Sequence, residues 1–133
     1  MNAIDTNVLV RFLVNDDAAQ ASIVRERFAA AERQRDAFWV PVLVLLETIW
    51  VLESAYGVSR DELIATLSDL LLLPILEFEH RAAVQSALAG AARQAAEMPD
   101  LLIAQTALSA GCESVLTFDK QAARGTGFEL IAR

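Results

Sequence analysis

"NAIDTNVLVRFL" (Asn2–Leu13) changes its hydrophobic period midway, and that change decides the fold. "NAID" has the make-up of a short strand, whereas "TNVLVRFL" repeats apolar residues at helical spacing. A strand that runs directly into a helix is the opening half of a β–α unit. The acid at the junction, Asp5, suits an N-cap, because its side-chain oxygen accepts from an unpaired amide of the first helical turn.

The alternation continues downstream. Asp16–Arg35 predicts a second helix, with Ile23, Val24, Phe28 and Ala31 at near-helical spacing and charges opposite. "AFWV" (Ala37–Val40) reads as a strand, and Pro41 fits the first turn of a third helix that runs to about Ala55 and stops near Gly57. Ser59 and Glu62 have capping-box spacing and open a fourth helix that ends before Pro74. "ILEF" (Ile75–Phe78) is a strand, and His80–Ala96 is an alanine-rich helix interrupted or loosened at Gly90. Pro99 opens another helix that closes at Gly111. "SVLTF" (Ser114–Phe118) and "FELIA" (Phe128–Ala132) are strands, separated by one helical turn over Asp119–Arg124. Strands alternating with helices predict a single α/β domain over residues 1–133. Its mainly parallel central sheet has four to five strands, with helices on both faces.

Composition bounds the function. At 133 residues the chain fits one domain, and 55% hydrophobic content with positive mean hydropathy argues for a well-filled core and against disorder. The single cysteine, Cys112, excludes an internal disulfide framework; its apolar surroundings favour a small core residue over a nucleophile. The first ten residues meet an acid at position 5 and lack the basic-then-apolar order of a signal peptide. The longest apolar run contains Pro41 and Glu47 and falls short of a membrane span. A soluble, cytoplasmic protein is expected, with no membrane partner. A net charge of −7, with ten arginines but one lysine, argues against broad phosphate neutralisation. Carboxylates that hold metal ions nevertheless count as negative when the metals are left out.

Ligands of parallel sheets bind beyond the carboxyl ends of the strands. Asp5 and Asp119 follow strands, and Asp100 lies in the first turn of the Pro99 helix. Each also has a structural reading, as an N-cap or a favourable charge on a helix dipole. Glu47 interrupts the apolar run "VPVLVLLETIWVL" (Val40–Leu52). A carboxylate buried there costs free energy unless it binds a proton or finds a partner. The alternatives are a protonated core glutamate, an ion pair with an arginine such as Arg11, or a cation site shared with the three aspartates, the economical choice. An all-oxygen donor set selects Mg²⁺ or Mn²⁺. One histidine and one cysteine rule out a zinc cluster built on imidazole and thiolate, and His80 reads as a surface or capping residue. With no Walker-A loop, no G-x-G-x-x-G and no G-x-S-x-G, the natural chemistry is phosphodiester hydrolysis by metal-activated water.

"AIDTNVLVRFL", the lone glutamate on the following apolar helix, and "EMPDLLIAQTALSAGCESVLTFDK" resemble the PIN-domain family. In length and style the chain is similar to the VapC-type toxins of bacterial type II toxin–antitoxin systems. The resemblance implies a Mg²⁺- or Mn²⁺-dependent endoribonuclease, dimeric and silenced by a cognate antitoxin. It implies that Asp5, Glu47, Asp100 and Asp119 are the metal-binding and catalytic acids, with Glu97 at a position often held by a further acid. Thr6, Asn7 and Thr117 match polar residues that support such a site by hydrogen bonding. Arg11, Lys120 and Arg124 flank it as candidate phosphate contacts, with solvated surface charge as the alternative. A PIN-fold module that binds RNA or protein without cleaving is the competing reading. A dehalogenase-type phosphatase fits less well, since Asn7 stands where it needs a second aspartate, and "ILEFEH" lacks the phosphoacceptor of a receiver domain. The third helix and "LSDLLLLPIL" (Leu67–Leu76) carry aliphatics beyond the needs of one helix face, so a partner surface is expected there beside core packing.

Overall fold

A computed structural model describes residues 1–131 of the chain. Its elements run β1 (Asn2–Ala3), α1 (Thr6–Leu13), α2 (Ala18–Gln34), β2 (Phe38–Val40), α3 (Val42–Ser54), α4 (Arg60–Leu71) and β3 (Leu76–Phe78). They continue with α5 (Arg81–Ala91), α6 (Met98–Ser109), β4 (Val115–Thr117), a 3₁₀ turn (Ala122–Arg124) and β5 (Phe128–Leu130). The expected extension of the last strand to Ala132 lies outside the described residues. The fold is α/β, and every strand pairing among the described residues is parallel. The chain divides into two compact units, Met1–Glu79 and His80 onward.

In the first unit the sheet order is β1-β2-β3, with Asn2 opposite Phe38 and Phe38 opposite Leu76. Each strand feeds helices, as parallel pairing requires. Asp5 caps α1, Asp17 caps α2 by accepting from the Gln20 amide, and Ser59 caps α4 by accepting from the Glu62 amide at 3.3 Å. Leu9, Val40, Leu45, Ile49, Leu52, Leu63 and Leu70 are buried almost completely. Phe28 lies between Phe12 and Phe38, with ring centroids 4.8 and 5.2 Å away. The inward stripe of α2 runs through Ala21, Phe28 and Ala31 with Val24 half-buried, while Ile23, expected on that face, is 65% exposed. Positions 21, 24, 28 and 31 keep the three-to-four spacing, and position 23 falls off it. In Leu67–Leu76 the aliphatics mostly serve the core: Leu67, Leu70, Leu71, Ile75 and Leu76 are buried and only Leu72 is exposed.

In the second unit α5 packs on α6 through Ala83, Ala87, Gly90 and Ala91, all buried. A Cβ at Gly90 would stand 3.6 Å from Leu101 Cδ2, an ordinary van der Waals contact, so α6 lies directly over this position. α5 ends at Ala91 and not at Ala96; there the Arg93 amide donates to the Gly90 carbonyl three residues back, which tightens the last turn beyond α-helical geometry. β4 and β5 pair with Val115 opposite Phe128 and Thr117 opposite Leu130. Among the described residues the five strands thus fall into a three-stranded and a two-stranded sheet, whereas one sheet of four to five was expected. Strands of two or three residues form few ladder bonds, and composition does not say where pairing stops. Cys112, expected in the core, is exposed. It follows Gly111, whose φ of +92° ends α6 and turns the chain outward.

Candidate functional site

The three strands of the first unit are parallel, so their carboxyl ends share one edge of the sheet. Ile4 carries the pairing one residue past β1 by donating to the Trp39 carbonyl, and Asp5 follows. Extended backbone at Asp5 turns its side chain onto the helix start, where Oδ1 accepts from the Thr6 amide at 2.7 Å. The Asp5 carbonyl accepts from Val8 and Leu9 and begins the helix. Asp5 is exposed, and its Oδ2 has no hydrogen-bond partner among the described residues. Its cap geometry therefore leaves one carboxylate oxygen available to a ligand.

Thr6 serves this acid through its backbone. Its side chain is buried, and its Oγ1 has no hydrogen-bond partner among the described residues. Asn7 is exposed on α1.

α3 starts after β2 at the same sheet edge. Pro41 gives it no side-chain cap; instead Glu79, just past β3, reaches across and accepts from the Val42 amide through Oε1 at 2.8 Å. Glu47 lies one turn further on and is exposed. The burial expected of it belongs to its neighbour Thr48, which is fully buried and donates its hydroxyl to the Val44 carbonyl at 2.7 Å. Glu47 shares its outward face with Leu43 and Trp50, which are 75% and 65% exposed. No compensating charge is needed for an exposed carboxylate, and Arg11 supplies none. The Arg11 guanidinium donates to Gln20 Oε1 at 2.7 Å and pairs with Asp16 at 3.3 Å. Asp16 also accepts from the Tyr56 hydroxyl, and this contact, with Arg11 second to it, holds its carboxyl below the usual range. Arg11 is thereby tied into a polar cluster.

In the second unit Glu97 occupies the N-cap position of α6 without a side-chain cap bond, and Asp100 is half-buried in the first turn. Burial, then the charges of Glu97 and Asp119, push the Asp100 carboxyl above its ordinary value. Asp119 follows β4 in a tight turn: its amide donates to Thr117 Oγ1 at 3.0 Å, and its Oδ1 accepts from the Gln121 amide at 2.9 Å. Lys120 and Arg124 are exposed around this turn, and the exposed ring of Phe118 immediately precedes the acid. His80 is exposed at the N-cap of α5 and makes no cap hydrogen bond.

Among the described residues no three Asp, Glu, His or Cys side chains stand close enough to form a ready-made metal cage. The donor chemistry nonetheless fits a hard divalent cation. Mg²⁺ is commonly held by one or two carboxylates, with water and substrate phosphate completing its shell. The electrostatic coupling of Asp100 to Glu97 and Asp119 is of the sign that such an ion relieves.

These features define an α/β protein of parallel strands with acids at its strand ends and helix starts. The sequence matches the family model of the PIN domain over residues 3–127, and the chain belongs to that family. PIN domains are a nuclease fold and are typically metal-dependent. The match runs through both compact units. No curated protein matched the chain. No helix among the described residues is long and apolar enough to cross a membrane.

Proposed function

We propose that this chain is a Mg²⁺- or Mn²⁺-dependent endoribonuclease, acting in the cytoplasm as the toxin of a VapC-type toxin–antitoxin pair. It works as a single domain, forms a homodimer and is silenced by a cognate antitoxin. Asp5, Glu47, Asp100 and Asp119 are its metal-binding and catalytic acids, with Glu97 as a further carboxylate. The observation that carries this reading is the placement of the acids in a chain of a nuclease family: Asp5 and Asp119 directly follow parallel strands, and Glu97 and Asp100 stand at the start of α6.

Asp5, Glu47, Asp100 and Asp119 would hold a divalent ion, which would supply Lewis-acid polarisation of a phosphodiester and activation of water. The protein's own part is orientation. The cap bond to Thr6 fixes Asp5 Oδ1 and leaves Oδ2 for the ligand. The bonds to Thr117 and Gln121 hold the Asp119 turn, and the Glu79 cap anchors the helix that bears Glu47.

Purified protein, freed of any partner, is incubated with RNA and Mg²⁺ or Mn²⁺, with and without chelator. Cleavage is expected, with loss on chelation, in Asp5→Asn and in Glu47→Gln, while both variants keep the wild-type circular dichroism spectrum. Cleavage that survives excess chelator, or persists in Asp5→Asn, sinks the metal mechanism. Metal binding without cleavage of any RNA favours the non-cleaving module.

A further inference from the structure

Nine aromatic side chains occur in the chain, six Phe, two Trp and one Tyr. Seven are buried or half-buried, and the two exposed rings are Trp50, 65% exposed, and Phe118, 78% exposed. Each adjoins an acid assigned above. Trp50 lies three residues after Glu47 on the outward face of α3, and Phe118 immediately precedes Asp119. Phe118 lies between Thr117 and Asp119 in a turn held by the Thr117–Asp119 and Asp119–Gln121 bonds, so little backbone freedom is lost when its ring meets a ligand.

Charge decides what meets these rings. Nucleic-acid affinity ordinarily comes from phosphate neutralisation, and a chain of net charge −7 is poorly equipped for it. Arg11 is committed to Asp16 and Gln20, and among the described residues Lys120 and Arg124 are the cations within five positions of Asp119 in the sequence. Stacking on an aromatic face is nonionic, tolerant of sequence and open only to unpaired bases.

We propose that Trp50 and Phe118 are base-stacking residues, each holding an unpaired base of single-stranded RNA beside the acid it adjoins. This deepens the ribonuclease reading and rests on it for the role of those acids. Stacking then supplies the larger share of binding, phosphate contacts the smaller, and duplex RNA is excluded because its bases are already stacked.

A labelled ten-nucleotide single strand and its duplex are titrated with the full chain without divalent ion, so that binding is read apart from cleavage. The single strand is expected to bind more tightly than the duplex and to quench tryptophan fluorescence, with the quench lost in Trp50→Leu. Phe118→Leu and Trp50→Leu, which keep apolar volume but lose the ring, should each raise Kd roughly five- to fiftyfold. The slope of log Kd against log salt should not change in either, whereas Lys120→Ala should reduce it by about 0.7. Unchanged Kd in both leucine variants overturns the proposal, as does equal affinity for the duplex or no measurable binding by the wild type. Leucine variants that alter the sedimentation coefficient but not RNA affinity also overturn it, and assign the rings to a protein contact. Cleavage in the presence of metal is scored separately. Its absence beside intact ring-dependent binding counts against the ribonuclease and leaves the stacking residues standing.

Discussion

Thr6 shows how a residue beside a candidate catalytic acid departs from ordinary economy. Its hydroxyl is the buried side-chain oxygen that lacks a hydrogen-bond partner among the described residues. A buried, unpaired hydroxyl costs on the order of 1 kcal/mol or more, and a methyl of the same shape costs nothing comparable. Thr6→Val should therefore stabilise the chain by about 1 kcal/mol in urea unfolding, while the Thr6 amide keeps its bond to Asp5. A destabilised variant would mean that the hydroxyl has a partner in solution. Asp100 departs in the opposite sense. Its carboxyl is raised by burial and by Glu97 and Asp119, so the folded chain holds that proton more tightly than the unfolded chain. The stability linked to it is fully present below the ordinary carboxyl range and is lost as pH rises through the raised value. Asp100→Asn should consequently melt at a higher temperature than wild type near neutral pH in metal-free buffer, and the difference should close in acid. Metal should remove this difference, because a divalent ion held by the ionised carboxylate would favour the charged form that burial and the neighbouring acids oppose.

At the scale of elements, α3 depends on a cap that comes from far along the chain. Glu79 satisfies the Val42 amide at 2.8 Å and places negative charge at the positive end of the helix. Glu79→Ala should cost about 1 kcal/mol in urea unfolding, and Glu79→Gln, which keeps an acceptor but loses the charge, about half as much. Equal stability of all three proteins would remove the cap from the account. This contact also marks where sequence reading stops. Signals within a few residues were legible: the strand-to-helix change at Asp5, the capping box at Ser59 and Glu62, the glycine that closes α6. Features set by distant packing were not. Nothing near Glu79 announces a partner 37 residues away. Nothing near Glu47 or Cys112 reveals that both face outward, and an apolar sequence around a residue is a poor guide to burial on a helix that presents two faces. The same ambiguity put Ile23 on the wrong face of α2, and strand lengths of two or three residues reflect pairing partners that composition does not identify. For the candidate site, the residue types and their order were readable, since acids after strands and at helix starts follow from local pattern. Their burial and hydrogen bonding, and the exposure of the aromatic rings near them, are set by packing that local pattern does not carry.

For the whole molecule the open question is cooperativity, because contacts divide the chain at Glu79 while one family match spans both parts. The part from His80 onward is about the length at which a single core becomes marginal. Its small sheet leaves Leu116 and Phe118 exposed at 61% and 78%, so α5 and α6 provide most of its apolar burial. A segment so constituted is not expected to hold its structure after the rest has melted. Both tryptophans, Trp39 and Trp50, lie in the first unit, and the only cysteine, Cys112, is exposed in the second. Tryptophan fluorescence therefore follows one unit, and a fluorophore attached to Cys112 follows the other. Coincident urea transitions from the two probes, with equal midpoints and slopes, are expected of one cooperative domain. An earlier midpoint at Cys112 would show that the second unit unfolds by itself. In that case metal should bring the two midpoints together if acids of both units take part in binding it, since a ligand stabilises only the state that binds it.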